Sequence, residues 1–337
     1  MANINEMGKL LPIFVLVTLL ACSAVCFASP PETIKVLILD GNFKEIPDDG
    51  EELGMLDTIK GDLLVGYSRY KGAIAVWKGK KSLYLIGEVP LEDYVEGVTA
   101  SELGDNWEIE AIKAQAVIAR TYALHKKLQN SGKKFHLTSG MLHQVYKGEN
   151  TDVKIALAVS ATQGEVLTYN NKPIEAFYHS TTCGETEDPA EVFGKSYPYL
   201  KPVKSDCNLS PYQMWSRKIP LREIEDALGI KGAADIKIKS RTTTGRVKAV
   251  AVITSTNHTY EATELRKKLG WKRLPSTDFT VKVEDGYAVF EGTGYGHGVG
   301  LCQWGALEMA KKGKTYKEIL SHYFPGADLE QYEPQGF

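Results

Sequence analysis

From Ile34 to about Gly87 short apolar runs alternate with turn signals, as in IKVLILDG and GDLLVGYSRYKGAIAVWKGKKSLYLIGEVP. Runs of this length, broken at Asp40-Gly41 and at Lys78-Gly79-Lys80, predict successive β-hairpins. The pattern changes at Pro90. Leu91, Val95, Val98 and Glu102 recur at steps of four, three and four, the spacing of one helical face. A carboxylate therefore shares an apolar stripe. Gly104 predicts the end of that helix, and Asp105 with Glu108 three residues later predicts a capping box that opens the next. Ile109, Ile112, Ala116, Ala119 and Ala123 then line a narrow face of small residues suited to close packing. Gln115 and Arg120 are the polar exceptions along it.

Further on, GEVLTYNNKPIEAFYHS reads as a strand in which Tyr178, His179 and Ser180 alternate faces, so His179 points opposite its neighbours. RTTTGRVKAVAVIT predicts a strand pair around a Thr-Gly turn, HTYEATELRKKLG a strand passing into a short helix, and FTVKVEDGYAVFEGTG a hairpin around Asp285 and Gly286. Thr315 with Glu318 caps a last helix that ends at Phe324-Pro325-Gly326. These elements predict an α+β fold of mixed helices and antiparallel sheet. Residues 29–85 form a β-rich N-terminal subdomain in this reading, and residues 86–330 the principal domain.

Residues 1–28 differ in kind. After Lys9 an uncharged apolar run extends from Leu10 to Ala28, followed by Ser29 and two prolines, which predicts an export signal. Cleavage after Ala28 is one outcome; LLAC, with Cys22 as the lipid-bearing residue, is a second, although Leu20 fits a lipobox poorly. The run is also long enough for an uncleaved anchor. All three place the working domain outside the cytoplasm, as a secreted, periplasmic or membrane-anchored protein.

The chain has 337 residues, of which 43% are hydrophobic, enough to bury one large core or two ordinary ones. Forty Lys and Arg stand against 42 Asp and Glu, so there is no bulk attraction to nucleic acid. Cys183, Cys207 and Cys302 remain after the signal. An oxidising compartment permits a Cys183–Cys207 disulfide with Cys302 buried. A structural zinc site drawn from His143, His179, Cys183 and Cys207 is the alternative, and free thiols a third. The glycines of GTGYGHGVGLCQWGA deny that stretch regular structure and let its backbone approach a ligand or another segment closely. It lacks the Lys-Ser or Lys-Thr of a phosphate loop and the setting of a dinucleotide fingerprint, so nucleotide binding is rejected.

On pattern alone Glu102 has two readings. It is an exposed helix-end residue, or it lies on a cleft wall where desolvation raises its pKa and keeps a proton available for donation.

The stretch VPLEDYVEGVTASELGDNWEIEAIKAQAVIARTYAL resembles the core of the SpoIID/LytB family, bacterial cell-wall proteins that include a sporulation lytic transglycosylase. The resemblance continues in HQVYKGE, AFYHSTTCGETED, SYPYLKPVKSDC and GYGHGVGLCQWGALEMAKKGKTYKEILSHYFPGADL, and so covers about Ile86 to Leu329. It implies a SpoIID-like fold, peptidoglycan glycan strands as substrate and Glu102 as the general acid/base of a reaction that leaves 1,6-anhydromuramic ends. No cofactor is required for that chemistry. Gln115, Arg120, Tyr178, His179, Ser180, His297 and Gln303 become the glycan-binding candidates, with Glu185 and Glu187 as second carboxylates should the reaction be hydrolysis. The resemblance also implies an alternative: a glycan-binding enhancer of a cell-wall amidase, without turnover of its own. A zinc hydrolase is a third reading.

Overall fold

The computed structural model describes residues 32–40, 42–103, 106–140 and 143–333. The signal-like run, with Cys22, and the expected stop and cap at Gly104 and Asp105 lie outside the described residues. No helix among the described residues is long and apolar enough to cross a membrane.

The N-terminal alternation builds a five-stranded sheet in the order Gly54–Lys60, Ala73–Lys78, Leu83–Pro90, Thr33–Ile38, Leu137–Thr138. Its neighbours are antiparallel except the last, where Val36 and Leu37 pair in parallel with Leu137 and Thr138. Because strand side chains alternate faces, Ile34, Val36 and Ile38 turn to one side. That side is covered by two helices, α1 (Leu91–Glu102) and α2 (Ile109–Gln129), through Tyr94, Val95 and Val98 and through Ile112, Ala116, Ala119 and Ala123. The N-terminal strands and the first two helices thus share one core. An apolar hollow of about 490 Å³, lined by Phe43, Ile59, Leu63, Leu64, Val65, Val76, Leu83 and Leu85 with Asn42 and Gly66, belongs to this sheet. It holds no titratable group.

The stripe on α1 is buried at Leu91, Val95 and Val98. Pro90 precedes its first residue and Glu102 is its last. The start of α2 differs from expectation: Glu108 is its N-cap residue and makes no side-chain cap bond. Residues 106–108 instead form a turn in which Trp107 packs on Trp304, so the helix opens later than a box from Asp105 would place it. Beyond its small-residue face α2 is buried nearly all round, as expected of a helix inside a large core. Ala114, Val117 and Ile118 pack on a second cluster containing Leu301, Cys302, Ala306, Ile319, Leu320 and Phe324.

Shorter helices follow: α3 (Val153–Ala161), α4 (Pro189–Phe193), α5 (Leu221–Leu228), α6 (Ala262–Leu269), α7 (Gln303–Lys311) and α8 (Tyr316–Tyr323). The predicted capping box of Thr315 and Glu318 opens α8. Cys302 is buried, and its sulfur caps α7 by accepting from the Gly305 N–H at 3.3 Å. Both predicted hairpins form, Asp235–Arg241 with Val247–Ile253 and Phe279–Glu284 with Tyr287–Gly292. Together with α5 and α6 they enclose a third core around Val250, Val252, Leu265 and Phe290. The class is α+β.

The glycine-rich run lies against another segment of the chain. A Cβ at Gly296 would come 2.8 Å from the His179 Cβ, and one at Gly300, where φ is 72°, would come 2.1 Å from the Phe177 carbonyl oxygen. Only glycine lets the two backbones meet this closely.

Gly245 provides a comparison, since its φ is 92° and a Cβ there would meet nothing within 4 Å. Gly245→Ala should therefore cost about 1 kcal/mol of backbone strain alone. Gly300→Ala should cost a further 1–3 kcal/mol, roughly the penalty of overpacking. Urea denaturation of the two variants measures the difference; equal losses would mean that the contact at Phe177 relaxes freely.

Candidate functional site

Glu102 ends α1 and is half-buried. Its Oε1 accepts two hydrogen bonds, from the Val145 backbone N–H at 3.0 Å and from the Tyr178 hydroxyl at 2.9 Å. Burial raises its pKa above the ordinary carboxylate value, while those two bonds, a bond from the Gln303 side chain and the Lys147 charge pull it partly back. The negative end of the helix dipole also disfavours a carboxylate here. Burial, followed by the Glu102 charge, holds the Tyr178 hydroxyl well above its ordinary pKa. Tyr178 is thus a fixed donor.

Each partner is placed by packing elsewhere. Tyr146 lays its ring against Tyr94, with centroids 4.9 Å apart, and against Tyr70 at 5.8 Å. A Cβ on Gly97 would come 2.2 Å from the Gly148 carbonyl oxygen, so the loop sits directly on α1. That contact aims the Val145 N–H at Glu102. Tyr178 and His179 pair in parallel with Leu301 and Cys302, which delivers the next residue, Gln303, to the same carboxylate. Gln303 Nε2 also donates to Gln115 Oε1 at 3.5 Å. Beside Gln303, the Trp304 ring lies 5.1 Å from that of Trp107, and both are half-buried.

The structure divides the remaining candidates. Gln115 belongs to the Glu102 group. Arg120 does not: fully buried, it grips both Glu92 carboxylate oxygens at 2.8 and 2.6 Å and the Glu165 carbonyl at 3.0 Å. Five positions beyond Gln115, it faces another side of the helix. His179 alternates away from Tyr178 as predicted. Its Nδ1 meets the Val299 carbonyl at 3.1 Å and its Nε2 the Thr182 hydroxyl at 2.5 Å. Burial drives its pKa well below the ordinary value, so it is neutral, with Nδ1 donating and Nε2 accepting. His297 packs against Phe177, His179 and Phe193, on the face opposite Tyr178. Burial, then the charge of Arg266, lowers its pKa to about 4. The Ser180 hydroxyl reaches Thr181, and its carbonyl accepts from the Trp304 N–H.

Cys183 and Cys207 are joined by a disulfide with Cα atoms 5.1 Å apart. Of the alternative zinc set, both sulfurs are committed to each other and both nitrogens of His179 to hydrogen bonds. Among the described residues no group of three or more His, Cys, Asp or Glu is arranged for a metal. Glu187 is buried, accepting from Thr242 and Thr244 at 2.7 and 2.6 Å and lying 3.9 Å from Arg246; Glu185 pairs with Lys204 at 3.6 Å. Val145, Lys147, Trp107 and Trp304 were missed by sequence reasoning. Val145 acts through its backbone and so leaves no trace in residue type. The two tryptophans could have been found, since each adjoins a motif position.

The sign of the Glu102 shift predicts a stability effect. A carboxyl group whose folded-state pKa lies above its unfolded value of 4.5 stabilises the fold when protonated. That contribution is complete below the unfolded value and is lost as pH rises through the raised one. Glu102→Gln keeps the shape and cannot ionise. It should melt above the native chain at neutral pH, with the advantage disappearing as the pH falls below 4.5. Equal melting temperatures across that range would mean that Glu102 is an ordinary exposed acid.

Comparison with known proteins gives this geometry a lineage. Residues 79–169 match the family model described as stage II sporulation protein (SpoIID), and residues 213–300 match a domain of unknown function (DUF8618). The chain is 36% identical to stage II sporulation protein D of Bacillus subtilis over 73% of its own length and 76% of that protein. It is 36% identical to the protein of the same name from Bacillus amyloliquefaciens, over 75% and 77%. The amidase enhancer of Bacillus subtilis is 31% identical, over 71% of this chain and 40% of its own length. The chain belongs to the stage II sporulation protein D family.

Proposed function

We propose that the chain is an exported lytic transglycosylase of peptidoglycan, with Glu102 as its single general acid/base. The observation that carries this reading is the state of Glu102: a half-buried acid with a pKa raised by burial, held on Oε1 by the Val145 N–H and the Tyr178 hydroxyl. A carboxyl group whose proton is held above the ordinary range in this way can both donate and accept one. The groups acting on it most strongly are donors and a cation. A glycosidase that uses water generally needs a second carboxylate.

In the reaction the Glu102 carboxylic acid protonates the glycosidic oxygen between N-acetylmuramic acid and N-acetylglucosamine, and the C1–O bond breaks with its electron pair passing to the leaving oxygen. The carboxylate formed is stabilised on Oε1 by the Val145 N–H and the Tyr178 hydroxyl. It then takes the proton of the muramic C6 hydroxyl, whose oxygen closes on C1. The 1,6-anhydro ring results, and Glu102 is an acid again. Trp107 and Trp304, half-exposed beside Gln303, offer the aromatic faces on which pyranose rings stack.

The likeness to a protein named amidase enhancer supports a second reading, glycan binding that assists another enzyme. Digestion of purified glycan strands in heavy-oxygen water separates them. The transglycosylase reading expects unlabelled anhydro ends, and in Glu102→Gln a fall in turnover of at least about 100-fold, the usual share of general acid/base catalysis. Labelled reducing ends that depend on Glu102 would mean hydrolysis. Absence of cleavage, with faster glycan release by an added amidase, would support the enhancer.

A further inference from the structure

The segment that matches a domain of unknown function reaches the neighbourhood of Glu102 through one side chain. Arg246 closes the turn 242–246 between the strands Asp235–Arg241 and Val247–Ile253, and it is buried. Glu187, also buried, supplies the counter-charge from 3.9 Å, and Thr242 and Thr244 of the same turn hold that carboxylate in place. The glycine run lies against the guanidinium: a Cβ at Gly298 would come 2.9 Å from its Cζ. Neither Nε nor Nη1 has a hydrogen-bond partner among the described residues. So sparsely bonded a buried charge destabilises a fold. Its place here is explained by the bond that Nη2 does make, to the Thr182 hydroxyl at 2.9 Å.

That bond has a direction. Arginine donates and has no acceptor, so the Thr182 oxygen accepts and its own proton goes to its other neighbour, His179 Nε2 at 2.5 Å. His179 is neutral, because burial and then the charges of His297, Arg246 and Arg266 oppose a second proton. A neutral imidazole that accepts at Nε2 carries its proton on Nδ1, and Nδ1 faces the Val299 carbonyl at 3.1 Å. In the other tautomer a bare nitrogen would confront that carbonyl oxygen and repel it. Val299 precedes Gly300, where the glycine run comes within 2.1 Å, measured from an added Cβ, of the Phe177 carbonyl oxygen. The tautomer thus decides whether this close approach is attractive. Thr182 also donates its backbone N–H to the Cys302 sulfur at 3.2 Å, so the residue that receives Arg246 is tied to the strand leading into Gln303.

We infer that Arg246 is a positioning residue: as a pure donor it selects the Nδ1–H tautomer of His179, which draws the glycine run onto residues 177–179 in the register that presents Tyr178 to Glu102. This gives the segment matching a domain of unknown function a part in the site. The inference deepens the reading of Glu102 as an acid/base and rests on it for the consequence in turnover, whereas tautomer and protonation are measured without cleavage.

Nitrogen NMR of the histidine rings distinguishes the two neutral tautomers. Carbon NMR of the Glu102 carboxyl group, assigned by its loss in Glu102→Gln, follows its titration. The groups facing that carboxyl are the Val145 N–H, Tyr178, Gln303, Lys147 and Tyr94; Tyr178 and Gln303 ride on the paired strands, and both favour the carboxylate. Arg246→Lys is still a pure donor and should keep the Nδ1–H tautomer and the native midpoint. Arg246→Gln offers a carbonyl that can take the Thr182 proton and reverse the chain. Its ratio of Nε2–H to Nδ1–H tautomer should rise about tenfold, the scale of one hydrogen bond. Its Glu102 midpoint should move upward, as in Tyr178→Phe, and the two changes together should move it by less than the sum of their separate shifts. Val250→Ala, in the core of the same segment, should lower the melting temperature and move neither signal. An Arg246→Gln chain that melts lower but keeps both signals would make the arginine merely structural and overturn the inference, as would an Nε2–H tautomer in the native chain. If Arg246→Gln does not fold, Thr182→Val keeps both buried charges and removes the hydroxyl; an unchanged Glu102 midpoint there would equally overturn it. These shifts in a chain that cleaves no glycan would uphold the role of Arg246 and remove only the transglycosylase.

Discussion

The site depends on a contact between two backbones. Residues 294–300 lie against residues 177–181 so closely that the Gly300 position has no room for a methyl group. In an extended segment this fixes what each residue faces: Phe177 and His179 turn to the glycine run, and Tyr178 turns to Glu102. A slip of one residue would exchange the two sets. The same contact sets the parallel pairing of 178–179 with 301–302, and from it the positions of Gln303 and Trp304 follow. Arg246 reinforces the arrangement from the segment that matches the domain of unknown function, donating to the Thr182 hydroxyl at 2.9 Å.

Helix α2 is the second shared part. Sheet and α1 cover one side, α7 and α8 another, and its alanines allow both to approach. Its two polar interruptions serve different ends. Arg120 is fixed bidentately by Glu92 and also satisfies the Glu165 carbonyl, so a buried charge is balanced and two distant segments are tied to the helix. Gln115 accepts one long bond from Gln303, and its amide nitrogen has no partner among the described residues. One stabilises the scaffold. The other joins the group around Glu102 through Gln303.

Local patterns carried much of the fold. Short apolar runs broken by turn signals marked the N-terminal strands, the Asp285-Gly286 turn marked its hairpin, and Thr315 with Glu318 marked the start of α8, because each is decided by neighbours in sequence. Glu102 stood out for the same reason, as a carboxylate on an apolar stripe. Long-range consequences were harder to read. The late start of α2 depends on Trp107 meeting Trp304, almost two hundred residues away. His297 and His179 have the residue type of a sugar site, yet strand alternation and the glycine contact turn both behind Tyr178. Alternation did give the direction of His179; what it could not give is which face looks at Glu102. Nor could residue type reveal that Val145 contributes a backbone N–H.

The acid and base roles proposed for Glu102 make opposite demands on one carboxyl group. Burial and the helix end favour its protonated form; alone they would leave an acid reluctant to give up its proton. The Val145 and Tyr178 donors favour the carboxylate, and alone they would leave it ionised before a substrate arrives. Both influences act on Glu102, and the raised pKa records that burial prevails without removing the donors. Tyr178 is the adjustable part of this balance, since its hydroxyl contributes only when the strand presents it within hydrogen-bond reach. Its own raised pKa keeps it a donor. The proton affinity of Glu102 is therefore governed by strand register, and the register by glycines that never touch it.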